Sequence, residues 1–433
     1  MSVWSSFKSL YFATLLMLLG SGLLSTYLAL HVAERADGIW VGALMTCFYL
    51  GLVLGGKLGH RLIARVGHIR TYVASAGIVT AAVILHGLTE NLPAWLGLRF
   101  IVGLGMMSMY MVIESWLNEQ SSSDERGVVF AGYMIASYTG SVLGQMVLVA
   151  LPTLDMTLLL LIALCFSLCL VPVALTRRIH PDPLHPAPLE FRYFFKRVPI
   201  SMYTTLAASA MVGAFYGLAP LYASRIGLPT QMVGLFMATC IVSSLLAQIP
   251  MGWLSDHVDR PKLIRFCSAL LMLIALPQAL WDDLSILLIF IGGSLSSILI
   301  FSLYPLAVAF ANDNIEAERR VSLTAVLLTV FGLGASISPL LVGALMKTFG
   351  ANMLFVSFSV FAIYIAIRVR PQMITGDTIT EEAPLQHITM PDGVSSSPLS
   401  AALDPRVEES HVQEQMQDCP LSDVADYSEE QHF

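Results

Sequence analysis

The chain has 433 residues, 56% of them hydrophobic and only 12% charged, with a mean hydropathy of +0.73. Soluble domains carry roughly 25% charged residues, so a soluble enzyme, a secreted disulfide scaffold and a nucleic-acid binder are all excluded. The formal charge of −7 is unevenly spread: residues 371–433 hold thirteen acids against the single base Arg406, which leaves the preceding 370 residues at +5.

Apolar windows of about 19 residues predict twelve membrane-crossing helices. They lie at 9–32, 39–59, 71–89, 93–117, 127–150, 156–176, 199–222, 229–252, 263–281, 284–311, 320–346 and 350–369. The first run is longer than the apolar core of a signal peptide and lacks a cleavage site, so it is read as a helix. Five of the six cysteines (Cys47, Cys165, Cys169, Cys240 and Cys267) fall inside apolar runs, where packing is their expected role.

Twelve crossings put both ends of the chain on one side, together with the loops after even-numbered spans. That side carries 18 of the 23 lysines and arginines, against three (Arg35, Arg225 and Lys347) on the other. The bias predicts a cytoplasmic location for both termini.

The chain also repeats itself. Residues 41–67 align without gaps to 233–259 with six identities in 27 positions, and 108–140 align to 302–334 with six in 33. Each match alone is weak, but the offsets of 192 and 194 are nearly constant and relate corresponding spans. Two parallel six-helix halves are therefore expected, as residues 1–176 and 199–370, which is the layout of carriers that bind solute between their halves. Residues 177–198 hold four prolines and five bases and read as a cytoplasmic linker; the acidic stretch 371–433 reads as a disordered cytoplasmic tail.

The loop after the eighth span runs Gly252-Trp253-Leu254-Ser255-Asp256-His257-Val258-Asp259-Arg260-Pro261-Lys262. It resembles the signature loop of the major facilitator superfamily, with Asp259 in place of the second glycine. The matching loop of the first half, from His60, keeps Leu62, Arg65, Gly67 and Arg70 but has Ala64 where the aspartate would stand. On the fourth span, Arg99-Phe100-Ile101-Val102-Gly103-Leu104-Gly105 resembles the family's arginine-and-glycine motif. Glu114-Ser115, Gly140-Ser141-Val142-Leu143-Gly144-Gln145, Tyr216 to Tyr222 and Leu303-Tyr304-Pro305 are similar to the YcaD-like branch. The resemblance covers residues 10–370. It implies an all-α, twelve-helix transporter of a bacterial inner membrane that works by alternating access. Antiporters of the family often carry Gly-Pro on the fifth span; here the proline is on the eleventh, at Pro339, so an export direction is not assigned.

Several residues are candidates for function. Asp256 is spaced to pair with Arg260 or Lys262 and to latch one bundle orientation, whereas the first-half loop, without the aspartate, reads as a topogenic cluster. Arg99 lies ~9 Å along the fourth span. Intramembrane charges tend to face cavities, so Arg99 is a candidate to bind an anionic solute group or to ease deprotonation of a carrier acid; snorkelling to the interface is the competing role. Glu114, ~22 Å further along, is expected to pair with Arg61, Arg65 or Arg70, with proton carriage as its alternative. Tyr27, Tyr110, Tyr138, Gln145, Tyr216, Gln248 and Tyr304 are the candidate cavity groups. Met106, Met107, Met109 and Met111 are read as packing before lining.

No phosphate-binding loop, zinc-protease motif or nucleophile elbow occurs, and no cofactor or metal is expected. The protein is therefore not read as an enzyme; a polytopic transferase would need acids or histidines clustered at one membrane face. The expected partners are a small organic solute, the lipid bilayer and, as coupling ion, a proton, with no nucleic acid and a monomeric state. A uniporter, or a sensor that keeps the fold and signals through its tail, are the alternatives.

Overall fold

The computed structural model describes residues 7–119, 121, 126–175, 189–281, 283–316 and 319–369. These residues form thirteen helices and no strands: α1 (Lys8–Ala33), α2 (Gly38–Val66), α3 (His68–Leu88), α4 (Leu92–Glu119), α5 (Arg126–Ala150), α6 (Met156–Ala174), α7 (Phe191–Arg197), α8 (Pro199–Arg225), α9 (Thr230–His257), α10 (Arg260–Leu280), α11 (Ile286–Asp313), α12 (Arg320–Phe349) and α13 (Met353–Arg368). Eleven are long and apolar enough to cross a membrane; α13 is apolar but has 16 residues. Helices satisfy their own backbone, which is the requirement that hydrocarbon imposes on any spanning segment.

Helix ends follow local chemistry. Asp155 caps α6 by accepting from the Thr157 amide at 2.9 Å, and Ser285 caps α11. Pro199 and Pro261 occupy the first turns of α8 and α10, where a missing N–H costs nothing. The helices outrun the apolar windows at one face: α2 continues to Val66 and α9 to His257, so Lys57, Arg61, Arg65, Gly252 and Asp256 are helical rather than in loops. The break after α2 is Gly67 itself, at φ +85°, a conformation that other residues rarely adopt. The corresponding break after α9 comes at Val258, which is extended, and Asp259, and both have negative φ (−121° and −52°), so the second half needs no glycine there.

Packing repeats between the halves. In the first, α1 packs on α5, α2 on α4 and α3 on α6; in the second, α8 packs on α12, α9 on α11 and α10 on α13. Gly140 and Gly334, identical in the internal alignment, do the same job at equivalent contacts. A β-carbon at Gly140 would run into the Leu15 carbonyl of α1, and one at Gly334 would lie 2.6 Å from the Leu206 carbonyl of α8. Close backbone approach of this kind is what small residues provide between membrane helices. Across the halves, α2 packs on α12 and α9 on α5, while α8 touches α1 and α2.

Of the stretch read as a linker, residues 177–188 lie outside those described. Its end forms α7, which buries Phe194 and docks on the second half through Arg319: the guanidinium lies 4.4 Å over the Tyr193 ring and 3.1 Å from Glu190. The acidic tail also lies outside the described residues.

Candidate functional site

Two faces of the helix array are distinguished here: the N-terminal face, where α1 starts and α13 ends, and the distal face opposite. Midway between them, and between the halves, lies a cavity of about 80 Å³. Helices α1, α2, α4 and α5 supply most of its wall, and α8 and α9 the rest. Ser21, Ser25, Thr26, Ser137, Ser141 and Gln145 contribute polar groups, Tyr49, Tyr110, Tyr138 and Tyr216 phenols, and Leu18, Met45, Phe48, Leu52, Met237 and Ile241 apolar surface. Among the described residues, no charged side chain lines it.

Four of the seven uncharged candidates line this cavity: Tyr110, Tyr138, Gln145 and Tyr216. Gln145 is held from both sides, accepting from Thr26 at 3.0 Å and donating to the Gly22 carbonyl at 3.2 Å. Gln248 stands behind the wall and donates to the Tyr138 phenol oxygen at 2.6 Å. Tyr27 stacks on His31 at 5.4 Å, away from the cavity, and Tyr304 is wholly buried under Phe331. The four methionines 106, 107, 109 and 111 are buried and do not line the cavity. Sequence reasoning missed the α1 hydroxyls and the α2 aromatics Phe48 and Tyr49.

Arg99 is completely buried, so it does not snorkel. Its Nη2 donates to Ser25 Oγ at 2.5 Å and approaches Met45 Sδ at 3.6 Å, and its guanidinium lies 4.4 Å from the centre of the Phe48 ring. All three neighbours line the cavity. Glu114 is also completely buried and accepts from the Tyr133 phenol at 3.1 Å, while Arg61, Arg65 and Arg70 are exposed.

At the distal face the halves meet backbone to backbone. A β-carbon on Gly42 of α2 would collide with the Pro339 carbonyl of α12, and Thr46 donates to the Ser336 carbonyl at 2.6 Å. Lys347 pairs with Asp37 at 2.8 Å across the halves, and within the second half Arg225 donates to the Met346 carbonyl at 3.1 Å. At the N-terminal face, the ion pairs among the described residues join parts of the second half to one another or to the stretch that leads into α7. Arg260 bridges Asp256, at 3.2 Å, and Asp313, tying together the ends of α9, α10 and α11, and it also donates to Ser255. Lys262 pairs with Asp259 at 3.2 Å rather than with Asp256.

A duplicated bundle of apolar helices around a small central cavity defines a multi-pass membrane transporter fold. The chain belongs to the major facilitator superfamily, in its YcaD-like branch: the family model for the Major Facilitator Superfamily matches residues 10–302 and 229–387. An uncharacterised MFS-type transporter of Enterobacter sp. (strain 638) is 28% identical over 368 residues, covering 82% of this chain and 93% of that protein. The uncharacterised MFS-type transporter YcaD of Shigella flexneri serotype 5b is 29% identical over 367 residues with the same coverage. Among solved structures, the nucleoside transporter NupG is similar with TM-score 0.70 at 13% identity, covering 83% of this chain and 96% of that one. An inward-facing, unoccupied bacterial homologue of the human lysosomal transporter Spinster is similar with TM-score 0.71 at 14% identity, covering 94% and 99%.

Proposed function

We propose that this protein moves a small organic solute across a bacterial inner membrane by alternating access, with residues 1–176 and 199–370 tilting as two bodies about the central cavity. The observation that carries the reading is the asymmetry between the faces. The halves are sealed together distally through α2 and α12, while the charge cluster of Arg260 braces α9, α10 and α11 within one half. Such a brace keeps a bundle rigid while it rotates, and the distal seal is the contact that must open in the other state. The excess of bases supports a cytoplasmic N-terminal face, so the arrangement described is closed to the outside.

Glu114 is proposed as the proton carrier. It is a fully buried acid on a helix that also lines the cavity, and the Tyr133 phenol holds it in place.

The test is uptake and efflux in proteoliposomes against a metabolite library, with and without a pH gradient. Gradient-dependent movement of at least one solute is expected. No movement of any solute, or a response lost when residues 371–433 are removed, favours the sensor instead.

A further inference from the structure

We infer that the solute is an organic monocarboxylate and that Arg99 holds its carboxylate; the inference rests on the transport reading and gives it a substrate class. A guanidinium offers five N–H donors and stays charged at any physiological pH. Here it is completely buried, and its Nε and Nη1 have no acceptor. Among the described residues no carboxylate pairs with it.

Leaving a buried charge unbalanced is costly, and proteins normally supply a counter-ion. In this protein the guanidinium lies directly behind the cavity wall: Nη2 reaches Ser25 and Met45, the Phe48 ring covers its face, and all three residues line the cavity. An anion that takes the place of Ser25 on Nη2 supplies the missing charge, and a guanidinium's planar fork matches a carboxylate in two-point geometry. The rest of the wall selects what the anion is attached to. It holds no second cation for a dianion and no acid for an ammonium group. Leu18, Leu52, Met237 and Ile241 suit a compact apolar body, and the serine hydroxyls accept a few polar substituents.

The experiment is thermal unfolding of the purified full-length protein with benzoate, phenylacetate and octanoate, each against its own amide, and with sodium chloride at the same concentrations. At least one carboxylate should raise the midpoint in a saturable way, with its amide and chloride inert. Arg99→Gln should weaken that binding on the order of 30-fold, as expected for a lost charge-assisted hydrogen bond, and Arg99→Lys, which keeps the charge without the fork, less. Equal binding of acid and amide, equal stabilisation by chloride, no binding of any carboxylate, or full binding by Arg99→Gln overturns the inference. The acid–amide comparison uses the unaltered protein, so it decides even if the variants do not fold. Movement of a neutral or cationic solute alone in proteoliposomes ends this inference and leaves transport standing; carboxylate binding without movement of any solute ends the transport reading and leaves the site.

Discussion

Gln248 of α9 donates to the phenol oxygen of Tyr138 on α5 at 2.6 Å, a hydrogen bond between the two halves at the cavity wall. Both side chains are buried, and a hydrogen bond of this kind contributes about 1 kcal/mol. A double-mutant cycle of Tyr138→Phe and Gln248→Leu, read by chemical unfolding, should show coupling of about that size. Strictly additive effects would mean that the two groups act independently.

The distal seal depends on Gly42. Any larger residue pushes against the Pro339 backbone, which has no side-chain freedom with which to yield. Gly42→Trp should therefore hold the distal face open. In a chain stripped of its native cysteines, Ser336→Cys should react with an impermeant maleimide from the distal side far faster when Gly42→Trp is present. Unchanged reactivity would show that α2 and α12 do not form the seal.

The two basic residues of the second-half motif should differ sharply. Arg260 is 13% exposed and bridges two carboxylates, whereas Lys262 is 66% exposed and meets one. Arg260→Ala removes the cation shared by Asp256 and Asp313 and should cost about 3 kcal/mol in unfolding; Lys262→Ala should cost about 0.5 kcal/mol or less. Equal costs would contradict the brace.

Glu114→Gln removes the proton site while keeping the Tyr133 hydrogen bond. Accumulation driven by a pH gradient should fall to the level seen without a gradient, while solute exchange continues. Intact gradient-driven accumulation in this variant would rule out Glu114 as carrier.

Much of this was legible in the residues themselves. Hydropathy located the spans, and the Gly140/Gly334 identity marked a contact that both halves use. The helix ends were less legible, because α2 and α9 extend past the apolar core as amphipathic turns that a hydropathy window reads as loop. The cavity was legible in part. Tyr110 and Tyr304 are equivalent in the repeat, yet Tyr110 lines the cavity and Tyr304 packs beneath Phe331. Facing is set by how the two halves close, and sequence periodicity does not contain it. Helix α1 is apolar on every side, so nothing in its pattern singled out Ser21 and Ser25. Arg99 stood out as a buried base, but that its surroundings lack an acid emerges only from the packing.

The most direct test is to fasten the distal face shut. With Asp37→Cys and Lys347→Cys, whose parent side chains meet at 2.8 Å, a short reducible bifunctional thiol reagent should stop exchange of a solute that the protein carries in proteoliposomes, and reduction should restore it. Exchange that continues at full rate in the fully cross-linked protein would contradict alternating access between these two halves.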